Sequence, residues 1–212
     1  MEPEGRPPGP GPARVSAPLD GTVLRGLSSG QEVLVSGRLV AARDQAHKRL
    51  ADLAARGAPW PFDPLGQIVF YVGPSPAPPG QVIGAAGPTT SGRMDALTLP
   101  LLERGVKAFL GKGRRSPEVL AALLASGAVY LAAVGGAGAF YGSLVARAEV
   151  LAWPELGPEA LMLLEVRDFP ATVVFDLEGR DQYLSGPLAW AEPWAPGGSG
   201  GADPRAGEAE GR

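Results

Sequence analysis

Hydroxyl and cationic side chains are concentrated in one nine-residue segment, GPTTSGRMD, at positions 87–95. The segment follows an apolar stretch and precedes a run with helical spacing, so it stands where a predicted strand gives way to a predicted helix. Ligands of open α/β sheets bind beyond the carboxyl ends of the strands. A guanidinium binds a carboxylate through two parallel hydrogen bonds, and hydroxyls and free amides are further donors. The segment therefore predicts a carboxylate pocket formed by Thr89, Thr90, Ser91 and Arg93.

Two other cations stand at comparable positions in the chain. Arg43 lies at the start of a predicted helix, where a positive charge opposes the helix dipole unless an anion is bound nearby. Lys112 lies between two glycines at the end of a predicted strand, in a GKG triplet that lacks the spacing of a phosphate-binding loop. Both cations suit a dicarboxylate ligand. Asp44 and Lys48 have the spacing of a weak ion pair on a solvated helix face.

A purely structural interpretation of the segment 87–95 fits the sequence equally well. A serine or threonine at this point can cap the following helix through its hydroxyl. Arg93 and Asp95 can in turn form an ion pair at the surface. The residue types alone do not separate this interpretation from an anion site.

Three other patterns carry less functional information. GLSSG (26–30) has the spacing of a serine nucleophile elbow, but a predicted strand follows it where that motif requires a helix. GGAGAFYG (135–142) lacks one glycine of a dinucleotide-binding loop and predicts close packing over small residues instead. The uncharged run 119–146 is divided by glycines into pieces too short to cross a membrane, so we interpret it as a buried crossover.

The elements that must position these residues alternate between strand and helix. Alternation of this kind is typical of an α/β fold with parallel pairing, and further strands near the end of the chain predict added antiparallel pieces. The helix after Ser116 has a strong start signal, because Pro117 and Glu118 follow the capping serine. The predicted strands are 31–42, 67–73, 81–87, 106–113 and 128–136 with two or three more after 146, and the main predicted helices are 43–57, 94–105 and one starting at 117.

The composition narrows the classes of function that the chain can have. Its 212 residues carry a formal net charge of −3, which gives no electrostatic reason to expect nucleic-acid binding. There is no cysteine and only one histidine, so this chain cannot hold an iron–sulfur cluster through thiolates or form an ordinary zinc site. The Pro/Gly-rich ends predict a disordered lead at 1–17, one α/β domain at 18–183 and a low-complexity tail at 184–212. Because no secretory signal is recognised, we expect a cytoplasmic protein.

Several motifs in their order along the chain resemble one enzyme family. They resemble the β subunit or C-terminal domain of class I fumarate hydratases and the related L-tartrate dehydratases. The motifs cover most of residues 19–179, and GPTTSGRMD is the most specific of them. The residues that carry the resemblance are VSGRLVAARDQAHKRL, YVGPSPAP, GAAGPTTSGRMD, GKG, AVYLAAVGGAGA, EVRDFPATVVFDLEG and the dipeptide EA at 159–160.

The resemblance implies a fold, and it implies that the cluster and the substrate-binding residues lie on different subunits. It implies a swivelling β/β/α domain, with a mixed sheet and helices packed on it. The family adds or removes water across a carbon–carbon double bond of a small dicarboxylate, and we expect fumarate and L-malate here. It uses a 4Fe-4S cluster held by cysteines of an α subunit, so we expect a cluster-bearing partner and a hetero-oligomer or homodimer. The lack of cysteine in this chain is then expected.

The resemblance also implies roles for individual residues. Arg43, Arg93 and Lys112 would hold substrate carboxylate and hydroxyl groups, and Thr89 would lie at the reacting carbon as the candidate base. Thr90 and Ser91 are second choices for substrate binding, and no residue of this chain would bind the metal. Two alternatives stay open: an L-tartrate dehydratase β subunit, and a non-catalytic module that binds carboxylates or assists assembly.

Overall fold

The structure, a computed structural model, describes residues 11–191 and has seven strands with helices between them. The prediction of an α/β fold with a mixed sheet and packed helices is confirmed. The strands are β1 (Ala13–Ala17), β2 (Glu32–Ala41), β3 (Ile68–Phe70), β4 (Ala108–Gly111), β5 (Val129–Ala132), β6 (Val145–Ala152) and β7 (Leu161–Phe175). The α-helices are α1 (Gly21–Arg25), α2 (Asp44–Ala55), α3 (Asp95–Glu103), α4 (Pro117–Ala125), α5 (Gly138–Ser143) and α6 (Gln182–Ala191), and short 3₁₀ helices span Ser91–Met94 and Pro154–Glu159.

The sheet closes on itself through its last strand. Strands β1 to β5 pair in chain order and run parallel. Strand β7 runs antiparallel to β5 at one end and to β2 along most of its length, so that β2, β3, β4, β5 and β7 form a closed ring. Strands β1 and β6 extend this ring on the outside, beside β2 and β7. The parallel strands therefore end at one common edge, where their carboxyl ends meet.

Both faces of the central strands are buried, which explains their continuous apolar sequences. In β3, Ile68 and Phe70 face an inner cluster enclosed by the ring, whereas Val69 faces a second cluster beneath the helices. Strand β4 alternates in the same way, with Leu110 inside and Phe109 outside. Helices α2, α3 and α4 cover the outer cluster with residues such as Leu50, Leu101 and Leu123. These helices are thereby fixed against the strands whose ends carry the predicted site.

One predicted strand is absent from the structure. Residues 81–87 form no strand, because Gly84 hydrogen-bonds through its amide to the Ser75 carbonyl at 3.0 Å in an irregular loop. A side chain at Gly142 would collide with the Gly84 backbone, so the predicted close packing of small residues in 135–142 is present. Of the two or three strands predicted near the end, the structure has two, β6 and β7, and Asp168 within β7 has a φ of 50°. In α3, Pro100 lies inside the helix.

The described strands and helices extend beyond the predicted domain limits of 18 and 183. Strand β1 uses residues 13–17, because each of them pairs in register with β2. Helix α6 continues to residue 191, and the Asp181 carboxylate accepts the Tyr183 amide at its start. The remainder of the two predicted tails, residues 1–10 and 192–212, lies outside the described residues. Between residues 11 and 191, no helix combines the length and apolar character needed to cross a membrane.

Candidate functional site

Long cationic side chains lie across glycines at the carboxyl edge of the parallel strands. Arg43 comes two residues after β2, and Lys112 directly follows β4. A Cβ atom on Gly73, beyond β3, would lie 2.8 Å from Arg43 Cδ. A Cβ atom on Gly135, beyond β5, would lie 3.4 Å from Lys112 Nζ. The glycines therefore leave room for the two cations to cross the loops of neighbouring strands.

The hydroxyl-bearing segment is joined to the same edge by backbone hydrogen bonds. The Thr89 amide donates to the Tyr71 carbonyl at 2.7 Å, and the Lys112 amide donates to the Thr89 carbonyl at 3.3 Å. The Ser91 amide donates to the Lys112 carbonyl at 2.9 Å, and Thr90 pairs with Lys112 as an isolated parallel bridge. Residues 89–91 thus lie between the strand ends of β3 and β4. Thr89 is half-buried at this point and Thr90 is exposed.

Asp44 links the two arginines of the predicted site. Its Oδ2 atom lies 3.0 Å from Arg93 Nη2 and 3.4 Å from Arg43 Nε, and Arg43 Nη2 lies 3.2 Å from Glu159 Oε1. The predicted ion pair between Asp44 and Lys48 is therefore wrong. The Asp44 carboxylate pairs with the two arginines at the strand edge instead. Within residues 11–191, the Lys112 ammonium forms no ion pair with an acidic side chain. The edge thus collects three cations and two carboxylates.

The structural interpretation of the segment 87–95 does not match the observed contacts. Thr90 precedes the 3₁₀ helix but makes no side-chain capping hydrogen bond. Arg93 pairs with Asp44, while Asp95 pairs with Arg115, so the expected surface pair within the segment is not formed. Capping and a local ion pair therefore do not account for these side chains.

Ser91 is placed in the interior instead of facing the edge. It is fully buried, and its hydroxyl lies 2.9 Å from the Tyr130 hydroxyl and accepts the Lys112 amide at 3.2 Å. Its side chain thus supports the loop that carries Lys112. Arg43, Thr89, Thr90, Arg93 and Lys112 are brought together at the edge, and Ser91 is not.

A buried arginine behind the site has no counterpart among the predicted site residues. Arg115 donates to the Asp95 carboxylate at 2.6 Å, to Thr98 Oγ1 at 2.7 Å and to the Tyr71 hydroxyl at 3.2 Å. Asp95 also accepts the Ser116 amide at 2.6 Å, so the starts of α3 and α4 are held together. Burial raises the pKa of the Tyr71 hydroxyl, which stays neutral. The signal in the sequence, an arginine after GKG, is indistinguishable from an ordinary surface charge.

The single histidine is buried beneath Arg43. His47 Nδ1 lies 3.1 Å from the Arg43 carbonyl oxygen, which can only accept, so Nδ1 carries the hydrogen. Burial lowers the pKa of His47 to about 4, and the ring stacks at a tilt on Tyr71 with 5.2 Å between centroids. Within the described part of the chain, Nε2 has no hydrogen-bond partner. His47 is therefore a neutral support for the first turn of α2.

Ligands for a metal cluster are not found among the described residues. The sequence has no cysteine, and across residues 11–191 no group of three or more His, Cys, Asp or Glu side chains is placed to hold a metal ion. The residues of the site do not fit an iron–sulfur cluster as ligands. They fit a small anion, because residues with guanidinium, ammonium and hydroxyl groups lie at the same strand edge.

Comparison with known proteins identifies relatives of this chain. The family model described as Fumarase C-terminus matches residues 15–186. "Fumarate hydratase 2" of Leishmania major is 38% identical over 156 residues, which are 73% of this chain and 28% of that protein. "Fumarate hydratase class I, anaerobic" of Escherichia coli is 37% identical over 150 residues, 69% of this chain and 27% of that protein. "Putative L(+)-tartrate dehydratase subunit beta" of Methanocaldococcus jannaschii is 34% identical over 166 residues, 76% of this chain and 85% of that protein. The chain thus spans little more than a quarter of either fumarate hydratase.

Proposed function

We propose a hydro-lyase function from the premise that this chain belongs to the family of fumarase C-terminal domains, whose model matches residues 15–186. The reaction proposed is the reversible hydration of fumarate to L-malate. In it, this chain acts as the β component beside a cluster-bearing α subunit. The observation that carries the proposal is the placement of Arg43, Thr89, Arg93 and Lys112 at one strand edge.

The three cations supply the binding chemistry for a dicarboxylate. Guanidinium groups hold carboxylates bidentately, and an ammonium adds a compact point charge. A substrate carboxylate that reaches Arg43 and Arg93 meets the Asp44 carboxylate, which already lies within 3.4 Å of both guanidinium groups. Binding therefore exchanges part of an internal ion pair for a pair with the substrate. Asp44 also keeps the two arginines oriented while the site is free.

The same cations favour the transition state over the substrate. Removal of a proton next to a carboxylate transfers negative charge onto that carboxylate as the reaction proceeds. Donors that are already oriented stabilise this charge without the cost of reorganisation. Glycines at 73 and 135 hold the loops close to Arg43 and Lys112, and the ion pairs with Asp44 and Glu159 restrain the guanidinium of Arg43.

Thr89 is proposed as the residue at the carbon that loses its proton. Its main chain is fixed on both sides, by the Tyr71 carbonyl and by the Lys112 amide. A neutral threonine hydroxyl is a weak base. It must therefore be activated by its neighbours, or it must orient the group that accepts the proton.

The leaving hydroxide needs an acid, and this chain has no cysteine with which to hold an iron–sulfur cluster for that role. A 4Fe-4S cluster ligated by an α subunit would provide a Lewis acid for that hydroxide when bound. We propose this partner because the chain lacks cysteine and because the relative from Methanocaldococcus jannaschii is named a β subunit. The assembly proposed is accordingly a hetero-oligomer with a small dicarboxylate substrate.

The test is anaerobic co-expression with the α subunit, followed by an assay of fumarate formation from L-malate. Arg93→Ala is expected to lower kcat/KM by about 100-fold or more, because it removes an oriented donor of the site. The control is Arg56→Ala, an exposed arginine at the end of α2 whose side chain contacts only the Asp52 carbonyl. An Arg93→Ala complex with normal activity would refute the site, and a wild-type complex without activity would refute the reaction.

A second candidate substrate is L-tartrate. It is favoured by the relative named L(+)-tartrate dehydratase subunit beta, because the chain covers 85% of that protein. Comparing kcat/KM for L-malate and L-tartrate on the same complex separates the two substrates. Binding of L-malate without turnover of either one would support the non-catalytic carboxylate-binding module instead.

A further inference from the structure

Two tyrosine hydroxyls hold both backbone polar groups of Gly113. The Tyr130 hydroxyl, from β5, lies 2.8 Å from the Gly113 carbonyl oxygen. The Tyr183 hydroxyl, from α6, accepts the Gly113 amide at 2.9 Å. Gly113 has a φ of +81°, in the left-handed region that favours glycine. The loop after β4 is therefore fixed at the point where its backbone turns.

These contacts hold the main chain from which the Lys112 side chain extends. Lys112 precedes Gly113, and its amide bonds to the Ser91 hydroxyl inside the domain. Tyr130 contacts that same hydroxyl, so one side of the loop is already attached to the core. Tyr183 attaches the other side of this loop to helix α6, which comes after all seven strands in the sequence. Without it, the Gly113 amide would have no hydrogen-bond partner from α6.

Tyr183 can hold the loop after β4 in place without contacting the ligand itself. Its ring packs against the cluster beneath the helices, and its own amide is bound by the Asp181 carboxylate at 2.8 Å. Its carbonyl accepts a hydrogen bond from Arg114 Nη2 at 3.0 Å, which adds a second link to the same loop. A phenylalanine at this position would keep the packing and lose only the bond to Gly113.

We propose that Tyr183 is a positioning residue for Lys112: it holds the loop that presents the ammonium to the substrate carboxylate. This inference rests on the proposed function, because it assigns Lys112 to substrate binding. It adds helix α6 to the parts of the chain that determine substrate affinity. Tyr183 itself contacts the loop and not the substrate.

The first experiment measures kinetics of the complete complex with its α subunit. Tyr183→Phe is expected to lower kcat/KM for L-malate about fivefold, the factor for one hydrogen bond of ordinary net strength. The loss should include a rise in KM, because a loosened ammonium binds the substrate carboxylate less well. Ser185→Ala is the matched control, since that hydroxyl also lies on α6 but bonds only to Asp181 and Gln182. Its KM should stay at the wild-type value.

A double-mutant cycle separates positioning from a general structural effect. If Tyr183 acts through Lys112, then Tyr183→Phe should change kcat/KM by less than about 1.5-fold once Lys112→Ala is present. Deuterium uptake at residues 111–115 should rise in Tyr183→Phe and not in Ser185→Ala. An unchanged KM in Tyr183→Phe, or the full fivefold loss in the Lys112→Ala background, would overturn the inference. An inactive wild-type complex would instead refute the proposed function beneath it.

Discussion

Replacing Arg115 by methionine tests the buried network behind the site. The Arg115 side chain is fully buried and donates to Asp95, Thr98 and Tyr71. It also lies over three aromatic rings, with 5.2–5.8 Å from Cζ to the ring centroids. Methionine keeps an apolar stem of similar reach and removes the charge and all three donors. Tyr71 and Thr98 keep the hydrogen bond between their hydroxyls, which lie 3.0 Å apart.

The expected cost comes mainly from the carboxylate that is left behind. Breaking a buried ion pair by removing one partner costs about 3–5 kcal/mol. Asp95 keeps 17% of its side chain exposed and retains the Ser116 amide at 2.6 Å, which favours the lower end, about 3 kcal/mol. For a folded unit of about 180 residues, this loss corresponds to a fall in Tm of about 8 °C.

Urea unfolding followed by circular dichroism measures this change directly. Arg56→Met, at an exposed position, should change the free energy of unfolding by less than about 0.5 kcal/mol. Adding Asp95→Asn to Arg115→Met removes the unpaired charge, so the double variant should lose less stability than the sum of the two single variants. A loss below about 1 kcal/mol in Arg115→Met would show that the ion pair does not hold α3 and α4 together.

Two further predictions concern the support of the site. The unfolded chain protonates His47 near pH 6.5 while the folded chain resists until about pH 4, so falling pH favours unfolding in this window. Wild type should therefore lose about 2 kcal/mol more than His47→Asn between pH 7 and pH 5 in urea titrations, and equal losses would contradict a buried neutral ring. Gly111→Ala should cost about 1–3 kcal/mol, because its methyl group would collide with the Ser91 hydroxyl. Gly92→Ala, whose methyl group would lie 3.5 Å from the nearest atom, is the control, and equal thermal stability of both variants would refute the clash.

The parts of the fold that local chemistry determines could be predicted from the sequence. The start of α4 followed from Ser116 and Pro117, and the Ser116 hydroxyl caps the Val119 amide in the structure. The alternation of strands and helices likewise indicated the α/β class. The segment 81–87 was misleading, because an apolar run rich in glycine packs equally well as an irregular loop.

The contacts that join distant parts of the chain could not be predicted. Asp44 stands next to Arg43 in sequence, but its contact with Arg93 depends on how α2 and the segment 87–95 pack together. Arg115 and Asp95 are twenty residues apart, and no local pattern marks either as buried. Ser91 has the residue type of a ligand contact, yet its burial follows from the register of residues 89–91 beside β4.

The closed ring of strands has a consequence for synthesis of the chain on the ribosome. Strand β2 pairs with β7 along most of its length, and about 120 residues separate Ala41 from its partner Met162. At a translation rate of about 5–20 residues per second, one edge of β2 stays unpaired for roughly 6–24 s after it has been made. During that time, the backbone groups of this edge are open to pairing with other chains. The exposure ends only when β7 has been made and pairs with β2.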